Sequence, residues 1–80
     1  LPDPTLAAQH AIVLEHYRAM LSHYGREGGS RIARKHLGWY SKGMPQSAEF
    51  RAAVMREPEP DKVEAMLASF YGASMERLAA

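Results

Sequence analysis

Cysteine is absent from the 80 residues of this sequence. Its absence excludes a disulfide framework and any metal site built on thiolates, since both need the cysteine sulfur. Long apolar runs are also absent. No stretch approaches the ~20 residues that cross a bilayer, and the first residues lack a signal-peptide pattern. We therefore expect a cytoplasmic protein that makes no contact with a membrane.

The spacing of the histidines argues against a metal centre. No two of them stand three or four residues apart, as ligands on one helical face would. They are His10, His16, His23 and His36. Nucleophilic motifs are lacking too, since there is no Gly-x-Ser-x-Gly elbow and no Gly-Lys-Ser/Thr phosphate loop. We expect a monomer with no metal, no bound cofactor and no catalytic residue of its own.

Apolar residues recur at helical spacing, and no segment alternates with the period of two that is typical of strands. The first helix is predicted to start at Pro4, with Asp3 as its N-cap, and to end near Tyr24. Gly25 follows as a residue suited to the C-terminal end of a helix.

The second helix is predicted to begin after a break at residues 28–30, where two glycines precede a serine. Ser30 would cap this helix, because its hydroxyl can accept a backbone N–H of the first turn. The helix is expected to end near Lys42, just before Gly43.

Two further helices complete the prediction. The third runs from Pro45 to Arg56, and the fourth starts at about Pro60 and ends at Gly72. Between them the chain is expected to be extended, because a residue that precedes proline is disfavoured in the helical region.

The resulting fold class is all-α, a small antiparallel four-helix bundle with short connections. Residues 1–5 are interpreted as a linker, residues 6–72 as the helical domain and residues 73–80 as a loose C-terminal tail. The chain begins with leucine rather than methionine, so we interpret it as a piece of a longer protein.

Charge is distributed unevenly although the formal net charge is only +1. Residues 26–42 carry five cations and one acid, whereas residues 57–64 carry four acids and one cation. This distribution predicts a basic middle and an acidic segment that follows it.

The second helix separates into two faces when its residues are placed about 100° apart. One face gathers the rings and apolar side chains, namely Trp39, Ile32, His36, Tyr40, Ala33 and Leu37. The other gathers Arg34, Gly38, Arg31, Lys42 and Lys35. The position of Trp39 and Tyr40 beside Ile32 favours packing in the core over stacking on nucleobases.

The basic face has two interpretations. A solvated amphipathic surface is what most charge runs form, whereas a row of cations with no acid among them also suits a line of phosphates. Gly38 costs helix stability, about 1 kcal/mol relative to alanine. Its presence in the basic face therefore indicates a close approach, either to a ligand or to a neighbouring helix.

A longer pattern resembles a known family. Residues 31–45 read Arg-x-x-Arg-Lys-His-x-x-Trp-Tyr-x-x-Gly-x-Pro, preceded by His23-Tyr24-Gly25 and followed by Phe50-Arg51. The pattern resembles the C-terminal helical domain of the tRNA-dihydrouridine synthases, and is most similar to the bacterial B-type group, which is related to the nitrogen-regulation open reading frame product. The similarity covers about residues 6 to 71.

The resemblance implies a two-domain enzyme. Its N-terminal TIM barrel would bind FMN, carry a catalytic cysteine and reduce uridine in tRNA to dihydrouridine with electrons from NADPH. Residues 1–5 would then be the linker from that barrel, and the helical domain would help to grip the tRNA. RNA binding carries over onto the motif positions Arg31, Arg34, Lys35 and His36, with Lys42 and Arg51 nearby.

Two other classes of function stay open. The basic helix could dock on an acidic protein surface or on the parent's own catalytic barrel without touching RNA. Alternatively, the second and third helices could form a helix-turn-helix that binds duplex DNA.

Overall fold

The computed structural model describes residues 5–79, apart from the side chains of Glu27 and Ser30. Within this range the chain forms four helices and no strand. They are α1 (Leu6–Tyr24), α2 (Arg26–Ser41), α3 (Ser47–Arg56) and α4 (Pro60–Ala79). Helix α1 packs on α2 and α4, while α3 packs on α2 and α4. The prediction of an all-α bundle is confirmed.

The core is a single cluster to which all four helices contribute. Its members are Val13, Tyr17, Leu21, Ala33, Leu37, Phe50, Val54, Val63, Leu67, Phe70 and Tyr71. The Phe50 and Phe70 rings stack with their centroids 4.3 Å apart, which joins α3 to α4. Helices α1, α3 and α4 thus supply every aromatic ring of the buried cluster, and α2 supplies only smaller side chains.

Helix α1 begins one residue after Thr5, whose Oγ1 accepts a hydrogen bond from the backbone N–H of Ala8 at 3.1 Å. Threonine is one of the residues that commonly cap a helix in this way. The predicted cap, Asp3, and the predicted first residue, Pro4, lie outside the described residues. The cap within them is Thr5.

The connection between α1 and α2 differs from the prediction. Gly25 alone separates the two helices, with φ at +85°, a value that favours glycine. Its carbonyl oxygen accepts from the N–H of Gly29 at 2.7 Å, so residues 28–30 lie inside α2. The predictions that these residues break the chain and that Ser30 caps the helix are therefore wrong.

Gly29 serves close packing rather than a turn. A Cβ atom placed on Gly29 would lie 2.7 Å from the carbonyl oxygen of Met20 and 3.0 Å from the Cα of Leu21. The buried stripe of α2 continues at four-residue intervals with small or medium side chains, at Ala33, Leu37 and Ser41. Helix α2 therefore approaches the backbone of α1 closely, and this stripe faces inward.

The other helix boundaries lie within two residues of their predicted positions, with one exception. Helix α2 ends at Ser41 rather than Lys42, and Gly43 follows with φ at +88°. Helix α3 begins at Ser47 rather than Pro45, after Gln46 in the left-handed region at φ 63°.

The exception is α4, which continues through Gly72 to Ala79. Gly72 was predicted to end the helix, and that prediction is wrong, as is the loose conformation predicted for the residues that follow. Ser74 is buried and its Oγ donates to the carbonyl oxygen of Phe70 at 3.0 Å, while Met75 packs against the core. These contacts hold the last turns in place because they bury side chains beyond the glycine.

A polar link joins three helices at one end of the core. The Nε2 of Gln9 donates to the hydroxyl of Tyr71 at 2.8 Å and to the carbonyl oxygen of Tyr40 at 3.2 Å. The ring of His10 stacks on Tyr71 with centroids 5.2 Å apart. Burial raises the pKa of the Tyr71 hydroxyl, and the hydrogen bond from Gln9 partly opposes that rise. The hydroxyl is thus held as a neutral acceptor for Gln9.

We predict that Gly29→Ala lowers the free energy of unfolding by about 1–3 kcal/mol, because the new Cβ would force α1 and α2 apart. The alanine gains about 1 kcal/mol in helix propensity, which is too little to offset a contact with backbone atoms. Urea unfolding followed by circular dichroism would measure the change.

Gly28→Ala is the matched control, because a Cβ on Gly28 would meet no described atom within 4 Å apart from its chain neighbours and the backbone of its own helix. Its stability should stay level or rise by up to about 1 kcal/mol. Equal effects of the two substitutions would contradict the close approach at Gly29.

Candidate nucleic-acid interface

Trp39 lies on the outside of the domain, contrary to the prediction of core packing. Its side chain is 62% exposed, and Ile32 is 39% exposed. The reason is the stripe that faces α1. Because Leu37 points inward, Trp39, two residues further along, is turned about 200° away from it. The buried face of α2 therefore excludes Trp39 and Ile32, which the hydrophobic pattern had assigned to it.

Trp39 borders a surface groove between α2 and α3 of about 400 Å³. Helix α2 contributes Lys35, Gly38 and Trp39, and helix α3 contributes Ala48, Arg51, Ala52 and Met55. The ring of His36 meets the indole edge to face, with centroids 4.6 Å apart and planes inclined at 66°. This contact supports the indole at the rim of the groove.

Gly38 explains how Arg51 reaches the same place. A Cβ on Gly38 would lie 3.1 Å from the Cδ of Arg51 and 3.4 Å from its Cγ. The aliphatic part of the Arg51 side chain therefore crosses the surface of α2 at Gly38, where no side chain stands in its way. The close approach that the sequence indicated at Gly38 is made to a neighbouring helix.

The side chains predicted to bind RNA fall into two groups, one exposed to solvent and one half-buried. Arg31, Lys35, Lys42 and Arg51 are exposed. Among the side chains that the structure describes, no acidic group lies within 4.0 Å of the charged atoms of Lys35, Lys42 or Arg51. The structure brings Lys35 and Arg51 to the two sides of one groove.

Arg34 and His36 have different surroundings. Arg34 is half-buried, and its Nη1 donates to the backbone carbonyl oxygen of Glu57, just after the end of α3. Its Nε is buried and has no hydrogen-bond partner among the described residues. His36 is half-buried beside Trp39. Arg34 thus links α2 to α3, and the nearest aromatic neighbour of His36 is the exposed indole.

The acidic segment does not cover the groove. Glu64 forms a two-point ion pair with Arg18 of α1, with nitrogen–oxygen distances of 2.8 and 3.2 Å. Asp61 lies 3.7 Å from Arg26, at the start of α2, and both side chains are largely exposed. These contacts fall on α1 and on the first residue of α2, and none of the described acidic side chains pairs with Lys35 or Arg51.

The described residues do not fit a flavin. The groove beside Trp39 and a depression of about 460 Å³ near Leu6 and Met75 lie open on the surface, and a further depression near Leu6 and Leu78 measures only about 200 Å³. Cofactor pockets instead enclose most of their ligand's surface. FMN and NADPH therefore stay expectations for a longer enzyme.

Two further findings concern residues 5–79. Their side chains form no group of three or more residues suited to holding a metal ion. None of their helices combines the length and the hydropathy needed to cross a membrane.

The structure defines a small all-α domain with a basic face that carries an exposed indole. The family model described as dihydrouridine synthase (Dus) matches residues 1–74. The chain belongs to the dihydrouridine synthase family. The resemblance drawn from the pattern of residues 31–45 is confirmed.

Curated relatives agree with this assignment. A probable tRNA-dihydrouridine synthase of Rickettsia conorii is 52% identical over 73 residues, which are 91% of this chain and 22% of the relative. One of Rickettsia bellii is 47% identical over 95% of this chain and 23% of the relative. The tRNA-dihydrouridine synthase B of Xanthomonas axonopodis pv. citri is 48% identical over 91% of this chain and 22% of the relative.

The chain spans less than a quarter of the length of these relatives. No solved structure matches it.

We predict that Arg34→Ala lowers the free energy of unfolding by about 1–2 kcal/mol, because it removes a charge-assisted hydrogen bond to the Glu57 carbonyl oxygen. Chemical unfolding would measure the loss. Lys35→Ala, at the neighbouring exposed position, should change stability by less than about 0.5 kcal/mol. If Arg34→Ala were as harmless as Lys35→Ala, the link between α2 and α3 would contribute nothing to the fold.

Proposed function

We propose that this chain is the tRNA-binding helical domain of an FMN-dependent tRNA-dihydrouridine synthase, which reduces uridine to dihydrouridine with electrons from NADPH. The names of its relatives support tRNA as the substrate of the whole enzyme. In this proposal the domain grips tRNA through the exposed cations of α2 and α3, and chemistry belongs to the parent's catalytic barrel.

The single observation that carries the proposal is the groove between Lys35 and Arg51. Two cations without counter-ions among the described side chains line this groove together with an exposed indole. Neighbouring positive charges of this kind attract phosphates, and each contact releases a counterion from the nucleic acid. Arg31 of α2 and Lys42, the residue that follows α2, are both exposed and add positive charge outside the groove.

Docking on an acidic protein surface is the alternative. An acidic protein surface would also pair with Lys35 and Arg51, but it would not need an exposed aromatic ring in the same groove. Aromatic rings beside cations are a recurring feature of proteins that bind single-stranded or looped RNA. This combination favours RNA over a protein partner.

We predict that Lys35→Glu weakens tRNA binding about three- to tenfold at low salt, because one phosphate contact is lost and a repulsion is added. The dependence of log affinity on log salt concentration should become shallower by about one unit. Fluorescence anisotropy of labelled tRNA, titrated at several salt concentrations, would measure both quantities.

Lys62→Glu is the matched control, because it makes the same charge change at an exposed lysine in the first turn of α4. It should alter tRNA affinity much less. Equal losses from the two substitutions would show that only net charge matters, and an unchanged affinity for Lys35→Glu would reject the basic face as the binding surface.

A further inference from the structure

Trp39 has no role in the core that would explain its place in the fold. It is the only tryptophan of the chain, and its side chain is more exposed than those of Ile12, Tyr24, Ile32 and Met55. Exposing a large ring to water sacrifices the favourable free energy of its burial. The ring nevertheless stands at the rim of a groove whose lining includes two cations.

The groove has the chemical layout of a nucleotide site. The part contributed by α3 is apolar at Ala48, Ala52 and Met55, which follow each other at helical spacing. Lys35 and Arg51 place positive charge at the same groove, and the indole supplies a flat π surface. A base has a π face that stacks on an aromatic ring, and the phosphate attached to its sugar carries the negative charge.

We propose that this groove binds one unpaired nucleotide of an RNA, with its base stacked on Trp39 and its phosphate held by Lys35 or Arg51. The inference rests on the proposed RNA-binding function and specifies what that surface recognises. A base inside a duplex has both faces covered by its neighbours, so only a looped, bulged or single-stranded nucleotide can stack on the indole.

Contacts with neighbouring residues hold Trp39 and Arg51 in position before RNA binds. His36 contacts the indole edge to face, which limits the orientations open to the ring. The Arg51 side chain passes within 3.1–3.4 Å of the Cβ position of Gly38, so its path across α2 depends on the missing side chain there. Groups arranged in this way lose less conformational entropy when a ligand binds.

The test uses the intrinsic fluorescence of Trp39, which reports on this groove alone because no other tryptophan is present. The 80-residue chain would be titrated with an unstructured single-stranded RNA and with a blunt RNA duplex that has the same number of phosphates. We expect the single strand to quench the fluorescence and the duplex to leave it nearly unchanged. Equal quenching by the two RNAs would overturn the proposal.

Variants provide the second arm, measured by anisotropy of labelled RNA. Trp39→Ala should weaken binding of the single strand at least fivefold, the lower end expected for one stacked base, and should leave duplex binding unchanged. Trp39→Phe should restore most of the affinity because it keeps a ring. Circular dichroism would confirm that each variant is folded, as the exposure of Trp39 leads us to expect.

The outcomes separate this inference from the proposed function. If Trp39→Ala binds the single strand as well as the parent chain does, while Lys35→Glu loses tRNA affinity, the stacking site is rejected and the basic face stands. If Lys35→Glu also binds tRNA normally, the proposed function fails with it. Quenching by poly-glutamate that is as strong as quenching by RNA at equal charge would instead identify an acidic protein partner.

Discussion

The close contact between α1 and α2 at Gly29 determines how the rest of the domain is arranged. Because no side chain stands at this position, α2 lies against the backbone of Met20 and Leu21. That contact fixes the rotation of α2 about its own axis, with Gly29, Ala33, Leu37 and Ser41 turned inward. Every exposed feature of α2, including its cations and its indole, follows from this one choice of face.

The fold was predictable to the extent that it depends on periodicity. Apolar residues at helical spacing and the prolines and glycines between them predicted four helices, and residues 5–79 contain four. Glycine was the source of the larger errors. Residues 28 and 29 were interpreted as a turn and residue 72 as a helix end, but all three lie within helices. A sequence alone does not distinguish a glycine that ends a helix from one that admits a neighbouring backbone.

The inward face of α2 was mispredicted for a related reason. Hydrophobicity places Trp39 and Ile32 beside Leu37, whereas the structure buries Ala33 and Ser41 with Leu37. A close contact between helices selects small side chains, which carry little weight in a hydrophobic average. The large rings that fill the core come from the other helices, so α2 had no need to supply one. Knowing this requires the tertiary arrangement.

The candidate site was predictable in its charges but not in its shape. The uneven distribution of cations identified α2, and Lys35 and Arg51 stand exposed as that prediction requires. Gly38 indicated a close approach, but the sequence did not identify its partner, because Arg51 lies on a different helix. The hydrogen bond that removes Arg34 from the exposed group left no local signal.

The positions of the acidic residues, rather than their number, leave the groove beside Trp39 positively charged. With a net charge of only +1, a uniform mixture of charges would present little field to a polyanion. Instead Glu64 pairs with Arg18 and Asp61 lies near Arg26, so the acids of α4 meet cations of α1 and of the first residue of α2. Exposed charges more than about 8–10 Å apart are largely screened at physiological salt, so the local excess of cations determines the electrostatic potential beside Trp39. In the proposed function, this separation of charge would let one face attract a phosphate backbone while the domain as a whole stays nearly neutral.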